Sequence, residues 1–230
     1  MQVMSVSEKN AEKDRPLRDL ICFPVVYNVV GLITVGVLYA VSPEHFVAPE
    51  ILNAALYLGV VITHWALFYV IARRLRREGI KDLIFPKRKF RWLPSLLAFV
   101  SLNVLFITYM ILALAYGRIT PWGKPDLPQL FFYIVLNPIT AGFVEELIWR
   151  GYFIENLLAI GKTEWKAIIY SSISFAFIHG FTIPDKLAVT FLFGLIAGAY
   201  YVRERNLPVL IVSHIVLDVI AFSLSMFRPI

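Results

Sequence analysis

The sequence predicts an all-α, polytopic membrane helix bundle of about seven to eight transmembrane helices, and three observations carry that prediction. First, 59% of the 230 residues are hydrophobic and 17% are charged. With a mean hydropathy of +0.71, the chain is more apolar than a soluble domain of average composition. A soluble fold could not cover such a core with the polar residues present, whereas membrane helices expose apolar faces to lipid freely. Second, apolar runs recur at close to the roughly 20 residues that cross a bilayer as helix. Third, Lys and Arg cluster between those runs on alternating sides.

Residues 1–19, MQVMSVSEKNAEKDRPLRD, mix both charge signs with few apolar groups and read as a short, mobile cytoplasmic tail. Residues 20–230 form a single membrane domain. The start of the chain lacks the short apolar run and small-residue cleavage site of a signal peptide, so the first helix is expected to be a retained anchor. Apolar runs follow at about 20–41, 51–72, 92–116, 128–160, 165–182, 186–202 and 207–226. The fourth exceeds one straight span. Asn137–Pro138 inside it frees backbone groups, which predicts either a kinked helix or a span followed by a shorter helix, the eighth segment. The single cysteine, Cys22, excludes an internal disulfide or a multi-cysteine metal site and is assigned to packing in the first helix. No fixed-period repeat is present, which argues against repeat-built transporters and solenoids.

Four Lys or Arg residues lie in the amino-terminal tail, none at 42–50, nine at 73–91 and two at 118–124. Arg150, Lys162 and Lys166 then fall on the side of the tail, Lys186 opposite, Arg203 and Arg205 back again, and Arg228 opposite. This pattern puts the amino terminus in the cytoplasm and, with seven spans, the carboxyl terminus outside. The net charge of +6 is accounted for by topology, so nucleic acid is not expected as a partner; membrane lipid is.

Ionisable groups inside a membrane cost about 2.5 to 3.5 kcal/mol each even on the gentler insertion scale, and they mark function by default. Here they concentrate in the second half. GFVEELIWRGYF carries Glu145, Glu146 and Arg150; FAFIH ends at His179; SHIVLD carries His214 and Asp218. Glu146 and Arg150, four apart on a helix, face each other and form an ion pair. Glu145, turned about 100° from its neighbour, keeps a carboxylate free to act as general base or metal ligand. His214 and Asp218 are also four apart, so the carboxylate can fix the imidazole's tautomer and direction. Phe175, one turn before His179, shields that ring. Together these groups supply the parts for activating water and stabilising an oxyanion, and so for hydrolysis. The competing explanation is polar pairing between helices without chemistry. His64, in THWALF, and His45 have no partner at helical spacing and read as structural or interfacial.

In order and spacing these residues resemble the CaaX protease and bacteriocin-processing (Abi) family of intramembrane proteases, which includes the type II CaaX prenyl endopeptidases. The E-E-x-x-x-R motif resembles Glu145, Glu146 and Arg150; F-x-x-x-H resembles Phe175 and His179; H-x-x-x-N/D resembles His214 and Asp218. The family-like catalytic core covers about 128–226. The resemblance implies cleavage of a peptide bond near the carboxyl end of a hydrophobic or lipidated, including prenylated, peptide substrate. It implies that Glu145 and His179 activate water and that His214 with residue 218 stabilises the oxyanion. Prenyl endopeptidases of this kind often have Asn at the last position, and an ionised Asp cannot donate to an oxyanion, so Asp218 must be protonated, orient His214 as a donor or bind a metal, and orientation of His214 is the preferred expectation. No cofactor is required in that mechanism. Glu145, His179 and His214 would also make a His2Glu set of the kind that holds catalytic zinc or another divalent metal, which keeps a metallopeptidase open. Alternative functions are a catalytically inactive membrane scaffold or bacteriocin self-immunity protein, and a small proton-coupled transporter.

The hydrolytic reading demands that Glu145, His179 and His214 share one cavity. Counted from the cytoplasmic side, His214 lies about seven residues into its helix and His179 about fourteen into its own, a mismatch of roughly 10 Å at 1.5 Å per residue. The fifth helix must therefore tilt or begin above the membrane surface.

Overall fold

The computed structural model describes residues 6–41, 49–85, 88–117, 125–179 and 183–226. Seven helices follow one another: α1 (Val6–Val41), α2 (Pro49–Ile84), α3 (Trp92–Ala115), α4 (Leu127–Ala159), α5 (Glu164–Ile178), α6 (Pro184–Glu204) and α7 (Leu207–Met226). They correspond one to one with the seven apolar runs. Six are long and apolar enough to cross a membrane; α5, at 15 residues, is not among them. At 1.5 Å per residue α5 extends roughly 22 Å, less than the roughly 30 Å hydrocarbon core. The outer faces are apolar, with Leu32, Ile62, Leu97, Val104 and Val212 all exposed, as lipid-facing positions should be.

Two boundaries differ from expectation. The segment read as a mobile tail is helical from Val6 onward. Its Asp19 is buried, pairs with Arg74 of α2 and accepts a hydrogen bond from Tyr152 Oη of α4 at 3.2 Å. At Asp19 α1 is thus held by polar contacts that an apolar count does not register. Likewise, much of the basic stretch at 73–91 continues α2, which ends only at Ile84. Cys22 is exposed on α1 rather than packed within the bundle, because it shares the outward-facing side with Ile21. His45 lies outside the described residues.

The central element is α4. All eight residues from Leu147 to Ile154 are buried, a pattern open only to a helix surrounded on every side. It packs against α2, α5 and α7, while α3 packs on α6 and α7, and α1 on α2 and α5. The disruption expected at Asn137–Pro138 takes a specific form. Pro138 cannot donate a backbone hydrogen bond, and the turn before it widens into a π-helical run, Phe132–Leu136, in which Asn137 N–H donates to Phe132 O, five residues back. The freed groups are reabsorbed by this local adjustment. The helix continues as one element, so no eighth segment forms among the described residues. A second π-helical run, Leu147–Ile154, starts immediately after Glu146.

Two glycines set the closest helix contacts. A Cβ on Gly142 would lie 2.6 Å from Ile215 Cγ1 and 3.1 Å from the Ile211 carbonyl oxygen, so only glycine lets α4 and α7 approach there. On Gly194 it would lie 2.8 Å from Ser172 Cβ, which fixes α6 against α5 in the same way. The first contact brings the helix carrying Glu145 and Glu146 against the one carrying His214.

Candidate active site

The two adjacent carboxylates of α4 diverge as their helical spacing requires. Glu146 is fully buried. Its Oε1 accepts from Arg150 Nη1 at 3.0 Å, the expected ion pair, and from His214 Nδ1 of α7 at 2.8 Å. The Arg150 guanidinium lies 4.2 Å from the Phe175 ring centroid and 5.4 Å from that of Phe193, so a cation–π contact supports the pair within the bundle. Phe175 therefore has a second task beside shielding His179, whose ring it meets edge-on at 4.8 Å.

Glu145 faces a different set of groups. Its Oε1 bonds His64 Nε2 of α2 at 2.8 Å, and its Oε2 has no hydrogen-bond partner within the protein. His214 Nε2 stands 3.8 Å from that free oxygen. His179 caps the carboxyl end of α5, and its Nδ1 donates to Phe175 O at 3.0 Å. That bond fixes the proton on Nδ1 and leaves Nε2 as an acceptor.

Glu145, His179, His214 and Asp218 line a single cavity of about 530 Å³, together with His64, Tyr27, Asn137 and Lys186. Both histidines line this cavity although they stand at different distances from the starts of their helices, His179 just past the end of α5 and His214 in the first half of α7. The Phe175 ring then spaces the imidazoles, 4.8 Å from His179 and 6.2 Å from His214 between centroids.

Two site residues make contacts other than those expected. Asp218 makes no hydrogen bond to His214: its Oδ2 is 3.9 Å from Nε2, an ion-pair distance beyond hydrogen-bond range. The carboxylate that hydrogen-bonds His214 is Glu146, on the opposite ring nitrogen. His64, without a partner at helical spacing, has one across the bundle: it binds the very carboxylate singled out as base. Sequence spacing could not find this contact, because its partner lies 81 residues away on another helix. The available signal was a histidine in the middle of an apolar span, which is costly without a partner. Lys186 was read only as a topological charge, yet it is the one Lys or Arg among the described residues lining the cavity. It lies in electrostatic range of Asp218 and Glu145.

Glu145, His179 and His214 share the cavity without forming a ligand set. Among the described residues no group of three or more His, Cys, Asp or Glu side chains is disposed to hold a metal ion.

The order and spacing of these motif residues can be set against known families. Residues 127–220 match the family of type II CAAX prenyl endopeptidases described as Rce1-like. The matched stretch runs from the start of α4 into α7 and contains all three motifs, so the resemblance read from them stands. His64 lies outside the match. No curated protein and no solved structure matches the chain.

Proposed function

We propose that this chain is an intramembrane endopeptidase that hydrolyses a peptide bond near the carboxyl terminus of membrane-associated hydrophobic or lipidated peptides. The observation that carries the proposal is the asymmetry of Glu145: one oxygen is held by His64, while the other has no hydrogen-bond partner, and the residue lines one cavity with His179 and His214. A general base needs such a free, correctly aimed lone pair within reach of water.

In this reading Glu145 Oε2 takes a proton from water as the oxygen adds to the scissile carbonyl carbon. The resulting oxyanion is stabilised by His214, whose Nδ1 is fixed on Glu146 and whose Nε2 faces the reacting centre. Collapse of the tetrahedral intermediate breaks the C–N bond, and the proton held on Glu145 passes to the leaving amine with His179 Nε2 as acceptor and relay. Lys186 offers a cation for a substrate's terminal carboxylate, which favours cleavage near the carboxyl end over cleavage at internal sites. The placement of Lys and Arg further supports a cytoplasmic amino terminus; an outside carboxyl terminus requires that the short α5 complete a crossing.

Purified wild-type protein and Glu145→Gln are incubated with a prenylated and an unprenylated hydrophobic peptide, with and without chelator, and the products are read by mass spectrometry. The wild type should release a short carboxyl-terminal fragment, and Glu145→Gln should lose about 10²–10⁴-fold in rate with an unchanged melting temperature. Cleavage that is equal in the two proteins sinks the proposal. Loss of wild-type cleavage with chelator overturns the metal-free route while leaving the peptidase reading intact.

A further inference from the structure

We infer that His64 is the positioning residue for Glu145: held on Val60 O through one ring nitrogen, it holds one carboxylate oxygen through the other and thereby assigns the second oxygen as the base. Its catalytic consequence rests on the peptidase reading, whereas the hydrogen bond itself rests on geometry alone.

The argument begins with the acceptors. His64 Nδ1 lies 2.9 Å from Val60 O, and a carbonyl only accepts, so Nδ1 carries a hydrogen. The other nitrogen, Nε2, lies 2.8 Å from Glu145 Oε1. That contact ties one carboxylate oxygen to the ring and leaves the other without a hydrogen-bond partner.

The ring has little freedom to do otherwise. His64 is fully buried, and Tyr27 packs edge-on against it at 5.1 Å between centroids. Clamped by Val60, Tyr27 and Glu145, it occupies Oε1 and leaves Oε2 without a hydrogen-bond partner, 3.8 Å from His214 Nε2. Without that clamp the carboxylate could rotate toward His214 and lose its aim at a water molecule. Because His64 belongs to α2, the amino-terminal half of the chain supplies a working part of the site that the family match at 127–220 does not include.

The test uses the full chain in detergent, with His64→Leu, which removes donation, and His64→Gln, whose amide can still donate to Oε1. Two readouts are taken. In the first, cleavage of an internally quenched hydrophobic peptide should fall on the order of 100-fold in kcat for His64→Leu, with KM within about threefold, and His64→Gln should recover at least about tenfold of that loss. In the second, dicyclohexylcarbodiimide, which reacts with protonated carboxyl groups, is applied and Glu145 modification is quantified by mass spectrometry. Wild type should label sparsely, His64→Leu severalfold more, and His64→Gln in between. A His64→Leu kcat within about threefold of wild type, or labelling unchanged by the substitution, overturns the inference. If the wild type cleaves no peptide, the peptidase reading falls and the labelling alone decides whether His64 holds Glu145.

Discussion

Glu145 and Glu146 are neighbours in sequence, yet the two sides of α4 on which they project are built on opposite plans. On the Glu146 side the charges are enclosed and paired: Arg150 and His214 both bond the same carboxylate oxygen, and Phe175 and Phe193 cover the guanidinium, while Glu146 Oε2 and Arg150 Nη2 take no hydrogen bond. On the Glu145 side the second carboxylate oxygen likewise has no protein partner, but there a cavity adjoins the residue. Within a membrane a buried charge is tolerable when paired and expensive when not. The enclosed side therefore acts as a brace, and the open side is where water and substrate can compete for an unfilled acceptor. His214 joins the two, with one nitrogen on the brace and the other in the cavity.

The largest effect should come from breaking the brace. Arg150→Ala leaves Glu146 buried with His214 as its remaining partner, at a cost of about 3–5 kcal/mol. It should appear as a large drop in melting temperature and in the yield of folded protein. The double variant Glu146→Gln, Arg150→Met removes the unpaired charge and should recover most of that stability. Its activity should stay low, because His214 loses the ionised acceptor that sets its direction. A melting temperature for Arg150→Ala no lower than that of a lipid-facing control such as Val104→Ala would remove the distinction between the two sides.

A smaller effect is expected where the helices that carry the two sides meet. Gly142→Ala places a methyl group 2.6 Å from Ile215 Cγ1 and close to the α7 backbone, overpacking that typically costs about 1–3 kcal/mol. The contact lies within one turn of Glu145 and Glu146, so any separation of α4 from α7 also stretches the 2.8 Å bond between His214 and Glu146. Gly194→Ala meets Ser172 of α5 and not α7 and serves as the comparison. Both should lower the melting temperature, whereas kcat should fall further, by about tenfold, in Gly142→Ala. Equal losses of activity would show that the α4–α7 spacing does not set the geometry of the site.

What could be read in advance follows from which contacts are local. The seven helices were legible because hydropathy over about 20 residues reports on the solvent that surrounds a span. Glu146–Arg150 and Phe175–His179 were legible because residues four apart share a helix face. The partners of Glu145 and the second partner of Glu146 were not, since His64 and His214 arrive from other helices. Pro138 announced a disturbance but not its form, because the missing N–H can be accommodated by a kink, a break or a π turn, and the choice depends on neighbouring helices. Asp218 shares a face with His214 as the same local rule requires, yet stands 3.9 Å from Nε2 without a hydrogen bond. Spacing places two side chains on one face, but it does not say which nitrogen of an imidazole turns toward which acceptor.

Asp218 accordingly offers the finest test of the comparison, and the smallest expected effect. Its Oδ2 is 3.9 Å from His214 Nε2, while Glu146 holds Nδ1 at 2.8 Å. If the brace alone orients His214, Asp218→Asn leaves the imidazole where it is. The change removes one negative charge from the cavity and adds an amide donor beside the developing oxyanion, two alterations that favour catalysis or leave it unmoved. The turnover of a saturating peptide should therefore stay within about threefold of wild type or rise, since no hydrogen bond is lost. Glu146→Gln, measured beside it, should reduce turnover far more, because the neutral amide replaces the charged acceptor of His214. Should Asp218→Asn instead lose activity on the order of 100-fold while Glu146→Gln keeps it, the orienting role would return to Asp218. The brace would then be a matter of stability only.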